Sequence, residues 1–264
     1  MTQTVERMLP LYEAKMIHQF DHRWATYEPD GSVRDVTLVE KQDPAFVALP
    51  RYWVREEVVR DRLGDRWGRD WLLGWRDICR STDERTMIAS EFPMAAVGHT
   101  LPIALLSSEP ALLLSVWTSF VFDYVARQKV GGTHMTYGYL MQLATVLPET
   151  PPPWQAATVD WFVSRARFLQ SPESWLTESR ERVRAELDAA YFHLFGVSRD
   201  DVDYIVDTFP IVKRKDEGAF GFYRTKELIL QVFDHMQTAI DTGVPYLSPL
   251  DHVLAEACEG GTDA

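Results

Sequence analysis

The spacing of hydrophobic positions changes along this chain of 264 residues. Up to about residue 106, apolar and aromatic residues form short runs separated by turn signals, which is typical of strands. We expect strands or extended segments at residues 33–39, 49–54, 71–78, 86–92 and 95–106. Between them, residues 55–63 are charged with a narrow apolar side, which predicts a short helix that ends at Gly64.

A longer helix is predicted in the middle of the chain. Its apolar residues fall three and four apart, at Leu113, Trp117, Phe120, Val121, Tyr124 and Val125. Pro110 suits the first turn, and Gly131-Gly132 should end the helix because glycine adopts the left-handed cap conformation at little cost. The loop that follows exposes Thr133 and His134 beside the cations of the last turn.

After residue 153 the pattern becomes helical throughout. Helices are predicted at residues 154–169, 181–195, 199–208 and 224–240. The proline-rich stretch 149–153 reads as a stiff boundary. The sequence therefore predicts an α+β protein, with a mixed, strand-containing unit at residues 1–150 and a helical unit at residues 151–264.

Composition narrows the class of protein. The net charge is −12, with −4 in residues 1–150 and −8 in residues 151–264. Such a balance argues against a free-standing nucleic-acid binder. No apolar run approaches the roughly 20 residues of a membrane helix, so we expect no membrane association. Cys79 and Cys258 have no metal or disulfide spacing, and with no secretory signal at the start a cytoplasmic location is expected.

Three patterns could carry chemistry, and each has a simpler explanation. His18 and His22 have zinc-helix spacing, but position 19 is glutamine, so a polar interface is preferred. Glu13 and Lys15 resemble the end of a nuclease metal site without its second carboxylate. The stretch 151–154 is similar to an amino-methyltransferase signature, but its first residue is proline and lacks the polar side chain that holds the target amine. We expect no catalytic and no metal-binding residues.

The chain has one basic cluster, Lys213, Arg214 and Lys215. It is either a solvated loop between helices or a set of phosphate contacts, and the sequence leaves both open. Gly131-Gly132 is a weak phosphate-loop signal, because no G-x-G-x-x-G and no P-loop accompany it. No pattern for S-adenosylmethionine binding is present.

Five long strings resemble a known family. They are LYEAKMIHQFDHRWATY, WLLGWRDICRSTDERTMIAS, FVFDYVARQKVGGTH, ELDAAYFHLFGVSRDDVDYIVDTFPIVKRKDE and FGFYRTKELIL. Together they resemble the target-recognition region of Type IIG restriction–modification methylases and BREX-type adenine methylases, over about residues 9–242. In that family the region follows an adenine-N6 methyltransferase core that binds S-adenosylmethionine, and this core is not in the chain.

The resemblance implies a DNA sequence-recognition part of an adenine-specific methyltransferase. Its expected partners are double-stranded DNA and a methylase core, supplied in trans or upstream, on which S-adenosylmethionine would sit. The implied base readers are Arg76, Arg80, Thr82 and Arg85. The implied phosphate anchors are Arg127, Lys129, Gly131, Gly132, Thr133 and His134, with Lys213, Arg214 and Lys215. The alternative is a non-catalytic protein-interaction remnant that binds a methylase or another defence component.

Overall fold

The computed structural model describes residues 6–107, 109–148, 159–176, 178–252 and 254. The chain is an α+β protein, as predicted. In the described ranges the strands lie between Met8 and Ala104, and the elements that follow Pro110 are helical. No helix in these ranges has the length and apolar character needed to cross a bilayer.

Eight short strands of the described ranges form three small sheets. They are β1 (Met8–Tyr12), β2 (Ala25–Tyr27), β3 (Val33–Asp35), β4 (Trp53–Arg55), β5 (Trp71–Trp75), β6 (Ala89–Pro93), β7 (Ala96–Val97) and β8 (Ile103–Ala104). One sheet has the order β4-β1-β7, with β1 antiparallel to β4 and parallel to β7. β2 and β3 form an antiparallel pair, and β6-β5-β8 is an antiparallel sheet.

Ten α-helices complete the described fold. They are α1 (Leu38–Gln42), α2 (Glu56–Leu63), α3 (Pro110–Trp117), α4 (Phe120–Lys129), α5 (Tyr137–Leu140), α6 (Val159–Gln170), α7 (Ser179–Leu194), α8 (Arg199–Asp207), α9 (Pro210–Phe220) and α10 (Arg224–Thr242). The predicted end of α2 is correct: Gly64 has a φ of 53°, where a side chain would be strained.

The helix predicted in the middle of the chain is in fact two helices. α3 ends at Trp117, and Ser119 has extended backbone angles. The Ser119 hydroxyl accepts the Phe122 N–H at 3.3 Å, so this serine starts α4 as an N-cap. The Thr118 hydroxyl donates to the Leu114 carbonyl at 2.8 Å. The hydrogen bonds of these two side chains compete with those of a continuous helix. The spacing of apolar residues does not predict such a break.

Two other local predictions are wrong, and the loop that was one of two alternatives for the basic cluster is part of a helix instead. Gly131 and Gly132 do not cap α4: the chain leaves the helix at Val130 in an extended conformation, and neither glycine has a positive φ. Lys213, Arg214 and Lys215 lie within α9 rather than in a loop, because Pro210 starts a new helix at its first position. The strand expected at 33–39 ends at Asp35, and a capping box between Thr37 and Glu40 then starts α1.

The strand-containing part and the helical part share one hydrophobic core. Trp75 and Met87 from the first part belong to the same buried cluster as Trp161 from α6 and Met236 from α10. A second buried cluster lies under β1, with Met16, Leu72 and Phe92. The division predicted near residue 150 falls at 149–158, outside the described residues, and stays a prediction.

A buried carboxylate joins the two parts. Asp123 on α4 accepts the N–H groups of Thr86 and Met87 through Oδ1, at 3.0 and 3.1 Å. Its Oδ2 accepts Arg85 Nε at 2.5 Å, and both side chains are inaccessible to solvent. Arg85 also donates to the Thr118 carbonyl at 2.6 Å. The segment that leads into β6 is therefore fixed to the α3–α4 break.

Replacing this carboxylate should be costly. Asp123→Asn would leave the Arg85 guanidinium buried without its counter-charge, so we expect the free energy of unfolding to fall by about 3–5 kcal/mol. Asp234→Asn is the matched control, since its ion pair with Arg199 is exposed and should contribute less than about 1 kcal/mol. Urea unfolding of the two variants measures both values. Equal losses would contradict the assignment of Asp123 as the joining group.

The stability of the fold should depend on pH through Asp188 on α7. Its Oδ1 accepts the Phe120 N–H at the start of α4 at 2.7 Å. Desolvation by burial raises the pKa of Asp188 to about 6, against the opposing effect of Arg85. Because the folded protein holds this proton more tightly than the unfolded chain, ionisation of Asp188 destabilises the fold. Stability contributed by the protonated group is therefore lost as pH rises through about 6.

The comparison with Asp188→Asn isolates this effect. The unfolding free energy of the unsubstituted protein, relative to that of Asp188→Asn, should fall by on the order of 2–3 kcal/mol between about pH 4 and about pH 7. Denaturant unfolding across this range measures it. A relative stability that rises with pH would show that the Asp188 carboxylate is stabilised by the fold instead.

Candidate nucleic-acid interface

Two loops that are far apart in sequence lie side by side at the end of β5. The Cys79 N–H donates to the Thr133 carbonyl at 3.0 Å, and the Met135 N–H donates to the Asp77 carbonyl at 2.6 Å. The indole Nε1 of Trp75 donates to the Met135 carbonyl at 2.8 Å. Residues 80–83 are thereby brought to one surface with residues 129–134, which are the last residue of α4 and the loop that follows it. We call these two segments the paired loops.

Arg127 holds the first of the paired loops in place. Its Nη2 donates to the carbonyls of Asp83 and Glu84, at 2.5 and 2.7 Å. Its Nη1 donates to the Thr208 carbonyl at the end of α8, and its guanidinium lies 3.9 Å from the centre of the Phe209 ring. Burial is the main cause of a lowered pKa for Arg127. This residue, predicted as a phosphate anchor, therefore serves to order the surface.

The basic cluster of α9 reaches the same region. Lys215 Nζ lies 2.5 Å from Glu84 Oε2, which belongs to the segment that Arg127 holds. Lys213 pairs with Asp207 at 3.4 Å. Arg214 is exposed. The structure thus brings α9 and the paired loops together, although about 130 residues separate them in the chain.

The exposed members of the predicted site are on the paired loops. Arg80, Thr82, Lys129, Gly131, Gly132, Thr133 and His134 are all exposed. In the described ranges no carboxylate is paired with the side chains of Arg80, Lys129 or Arg214. His134 differs, because its Nδ1 lies 2.6 Å from Asp77 Oδ2. Three cations without ion-pair partners and a stretch of exposed backbone can contact the phosphate oxygens or base edges of a nucleic acid.

Arg76 and Arg85 face the interior, which corrects their expected exposure. Arg76 Nε donates to the Ile17 carbonyl at 2.9 Å, and burial lowers the pKa of its guanidinium. Arg85 is held by Asp123 and Thr118. Base reading by either side chain would first require these bonds to break. Of the arginines predicted to read bases, Arg80 is the exposed one.

Sequence reasoning missed the residues that order the loops. Asp77 orients His134, and the Asp83 carboxylate closes the first loop by accepting the Arg80 N–H at 2.9 Å. The run Ser81, Thr82 and Asp83 is a turn signal that the sequence does carry. The pairing of Asp77 with His134 has no local signal, because it depends on contacts across 57 residues.

His18 and the Glu13–Lys15 motif near the start of the chain have structural contacts. His18 lies in a turn rather than on a helix, and its ring is 4.3 Å from that of Trp24. Glu13 accepts the Tyr27 hydroxyl and pairs with Lys15. Across the part of the chain that the structure describes, no three His, Cys, Asp or Glu side chains are grouped to hold a metal ion. The stretch 151–154 lies outside the described residues.

Comparisons with known proteins add no relative. No family model, no curated protein and no solved structure matches the chain.

Proposed function

We propose that the chain is the DNA sequence-recognition part of an adenine-specific restriction–modification or phage-defence DNA methyltransferase, acting with a separate or missing methylase core. The observation that carries the proposal is the position of Arg80 and Lys129. They are exposed cations without ion-pair partners in the described ranges, on two loops joined by backbone hydrogen bonds. The resemblance of the long strings to target-recognition regions supports the same function.

Within this proposal the two loops have different tasks. Arg80 sits on a turn closed by Asp83, and arginine bonds bidentately to guanine in the major groove. Lys129 and the exposed backbone at Gly131 and Gly132 suit phosphate oxygens, which position a protein without specifying sequence. Arg127 fixes the loop backbone before DNA arrives, which lowers the ordering cost of binding.

Because the chain is acidic, we expect a partner to supply most of the affinity for DNA. A net charge of −12 repels a duplex at long range, and a few local cations oppose this only weakly. The methylase core of the proposal would supply basic surface and the S-adenosylmethionine site. We therefore expect the isolated chain to bind DNA feebly and the reconstituted complex to bind it well.

Two substitutions separate anchoring from reading in the reconstituted complex. Lys129→Ala should weaken binding to all sequences alike and reduce the slope of log affinity against log salt by about one unit. Arg80→Ala should relax discrimination at one base pair, by about 1–3 kcal/mol. The measurement is a salt series with matched and single-mismatch duplexes.

Arg62→Ala is the charge-matched control for these two variants. Arg62 is exposed on α2, outside the paired loops, and has no ion-pair partner in the described ranges. It should leave both the salt slope and the mismatch penalties unchanged. The proposal fails if Lys129→Ala and Arg80→Ala behave like this control.

The cofactor assignment is tested separately. We expect no binding of S-adenosylmethionine to the isolated chain, because its sequence has no glycine-rich cofactor motif. Calorimetry should detect the cofactor when the methylase core is added, and methyl transfer should appear only then. A heat of binding with the isolated chain would place the cofactor site here and refute the division of labour.

A second candidate function has its own observation. Val47, Leu49, Tyr52 and Trp53 are each at least half exposed, and such an apolar patch is typical of a protein-binding surface. The corresponding function is a non-catalytic interaction protein that binds a methylase or another defence component. It is favoured if the paired-loop variants leave DNA binding intact while substitutions in this patch disrupt the complex.

A further inference from the structure

A charged cavity of about 200 Å³ lies beside the α4–α7 contact. It is bounded by α7, by α9 and by the start of α10, with the side chains of residues 18, 84 and 85 on the remaining side. Its apolar wall consists of Phe120, Ala185, Val212, Phe220 and Leu228. Its charged lining consists of Glu84, Arg85, Glu181, Arg184, Asp188, Lys215, Asp216 and Arg224.

Several of these charges are already used by the protein. Arg85 pairs with Asp123, and Lys215 pairs with Glu84. Asp188 accepts the Phe120 N–H, and Asp216 Oδ2 accepts the Thr225 N–H at 2.6 Å. In the described ranges five lining groups have no ion-pair partner: the cations Arg184 and Arg224, and the carboxylates Glu181, Asp188 and Asp216, of which Asp188 and Asp216 accept backbone N–H groups.

Arg184 is the deeper of the two cations without an ion-pair partner. It is largely shielded from solvent, and its one hydrogen bond in the described ranges goes from Nη2 to Gln19 Oε1, at 2.7 Å. Burial, and then the nearby Arg85, lower the pKa of Arg184 against the opposing effect of Asp188, yet a guanidinium stays protonated in proteins. A shielded cation with unused donors beside a cavity favours an anionic group in that cavity.

Glu181 lies one helical turn before Arg184 on the same face of α7. The two side chains form no ion pair with each other, although both line the cavity. Glu181 is exposed and Arg184 is not, so the negative charge lies at the mouth and the positive charge lies inside. Arg224, which lies over the Phe220 ring at 4.6 Å, is a second cation beside the apolar wall.

We propose that this cavity binds a small zwitterion of the α-amino-acid type with an apolar side chain. Its carboxylate meets Arg184 and Arg224, its ammonium group meets Glu181, and its side chain lies against Phe120 and Leu228. Glu181 and Arg184 lie three residues apart on α7, where Cβ atoms are about 5–6 Å apart, so both side chains can reach a ligand whose two charges are joined by a single carbon.

A matched ligand series tests the two charges one at a time. L-leucine is the zwitterion, 4-methylpentanoate lacks the ammonium group, and isoamylamine lacks the carboxylate. Isothermal titration of the full chain should show leucine binding roughly tenfold or more tightly than either analogue, since each loses one charge-assisted contact. Equal affinities for the three compounds, or no binding of leucine, would overturn the proposal.

Variants assign each charge to its residue. Arg184→Gln should remove the advantage of leucine over isoamylamine, and Glu181→Gln should remove its advantage over 4-methylpentanoate. Glu181 is exposed, so its substitution leaves the fold intact, and thermal melts check Arg184→Gln. Arg199→Gln, at an exposed pair on α8, is the charge-matched control and should keep the preference for leucine.

The pattern of losses decides between the proposal and simpler explanations. If both variants lower affinity for all three compounds equally, the ligand does not present its charges to these residues, and the proposal fails. If inorganic phosphate binds more tightly than leucine, the cavity is a site for oxyanions alone, and the proposal fails. These tests involve no DNA, so their outcome is independent of the proposed recognition function.

Discussion

The fold depends on one carboxylate that is shielded from water. Asp123 joins α4 to the segment that leads into β6, through the N–H groups of Thr86 and Met87 and the guanidinium of Arg85. A buried charge is stable only when it is paired and hydrogen-bonded, so the chain can close here in one arrangement. Because Arg85 then reaches the Thr118 carbonyl, the same contact fixes where α3 ends and α4 begins.

The polar contacts around this carboxylate extend to both parts of the chain. Gln19 donates to the Met87 carbonyl and accepts from Arg184 on α7. Gln19, Arg85 and Asp123 lie in three of the long strings on which the proposed recognition function partly rests. The contacts of these three residues hold the helical part against the sheets. In the proposed function the contacts with DNA come instead from exposed residues, Arg80 and Lys129.

The sequence predicted regular elements better than their ends or the exposure of loop residues. The three-and-four spacing located α7 and α10, because burial of one helix face is a local pattern. The same spacing could not predict that Arg80 is exposed while Arg85, five residues later, is buried. Arg85 is buried by its contact with Asp123, which is 38 positions away in the chain. Gly131-Gly132 failed as a cap for a similar reason: backbone bonds to 77–79 keep the chain extended after Lys129.

Ion pairing explains how so acidic a chain can present positive surfaces. Most of its arginines and lysines are held by carboxylates or carbonyls, as Arg127 and Lys41 are, and such cations contribute little to an external field. A few charged side chains have no ion-pair partner, and hydrogen bonds with uncharged groups determine where they lie. The backbone hydrogen bonds between the paired loops leave Arg80 and Lys129 exposed on the surface. The hydrogen bond to Gln19 holds Arg184 in the interior. Recognition in this chain is therefore expected to follow local, unmatched charge rather than net charge.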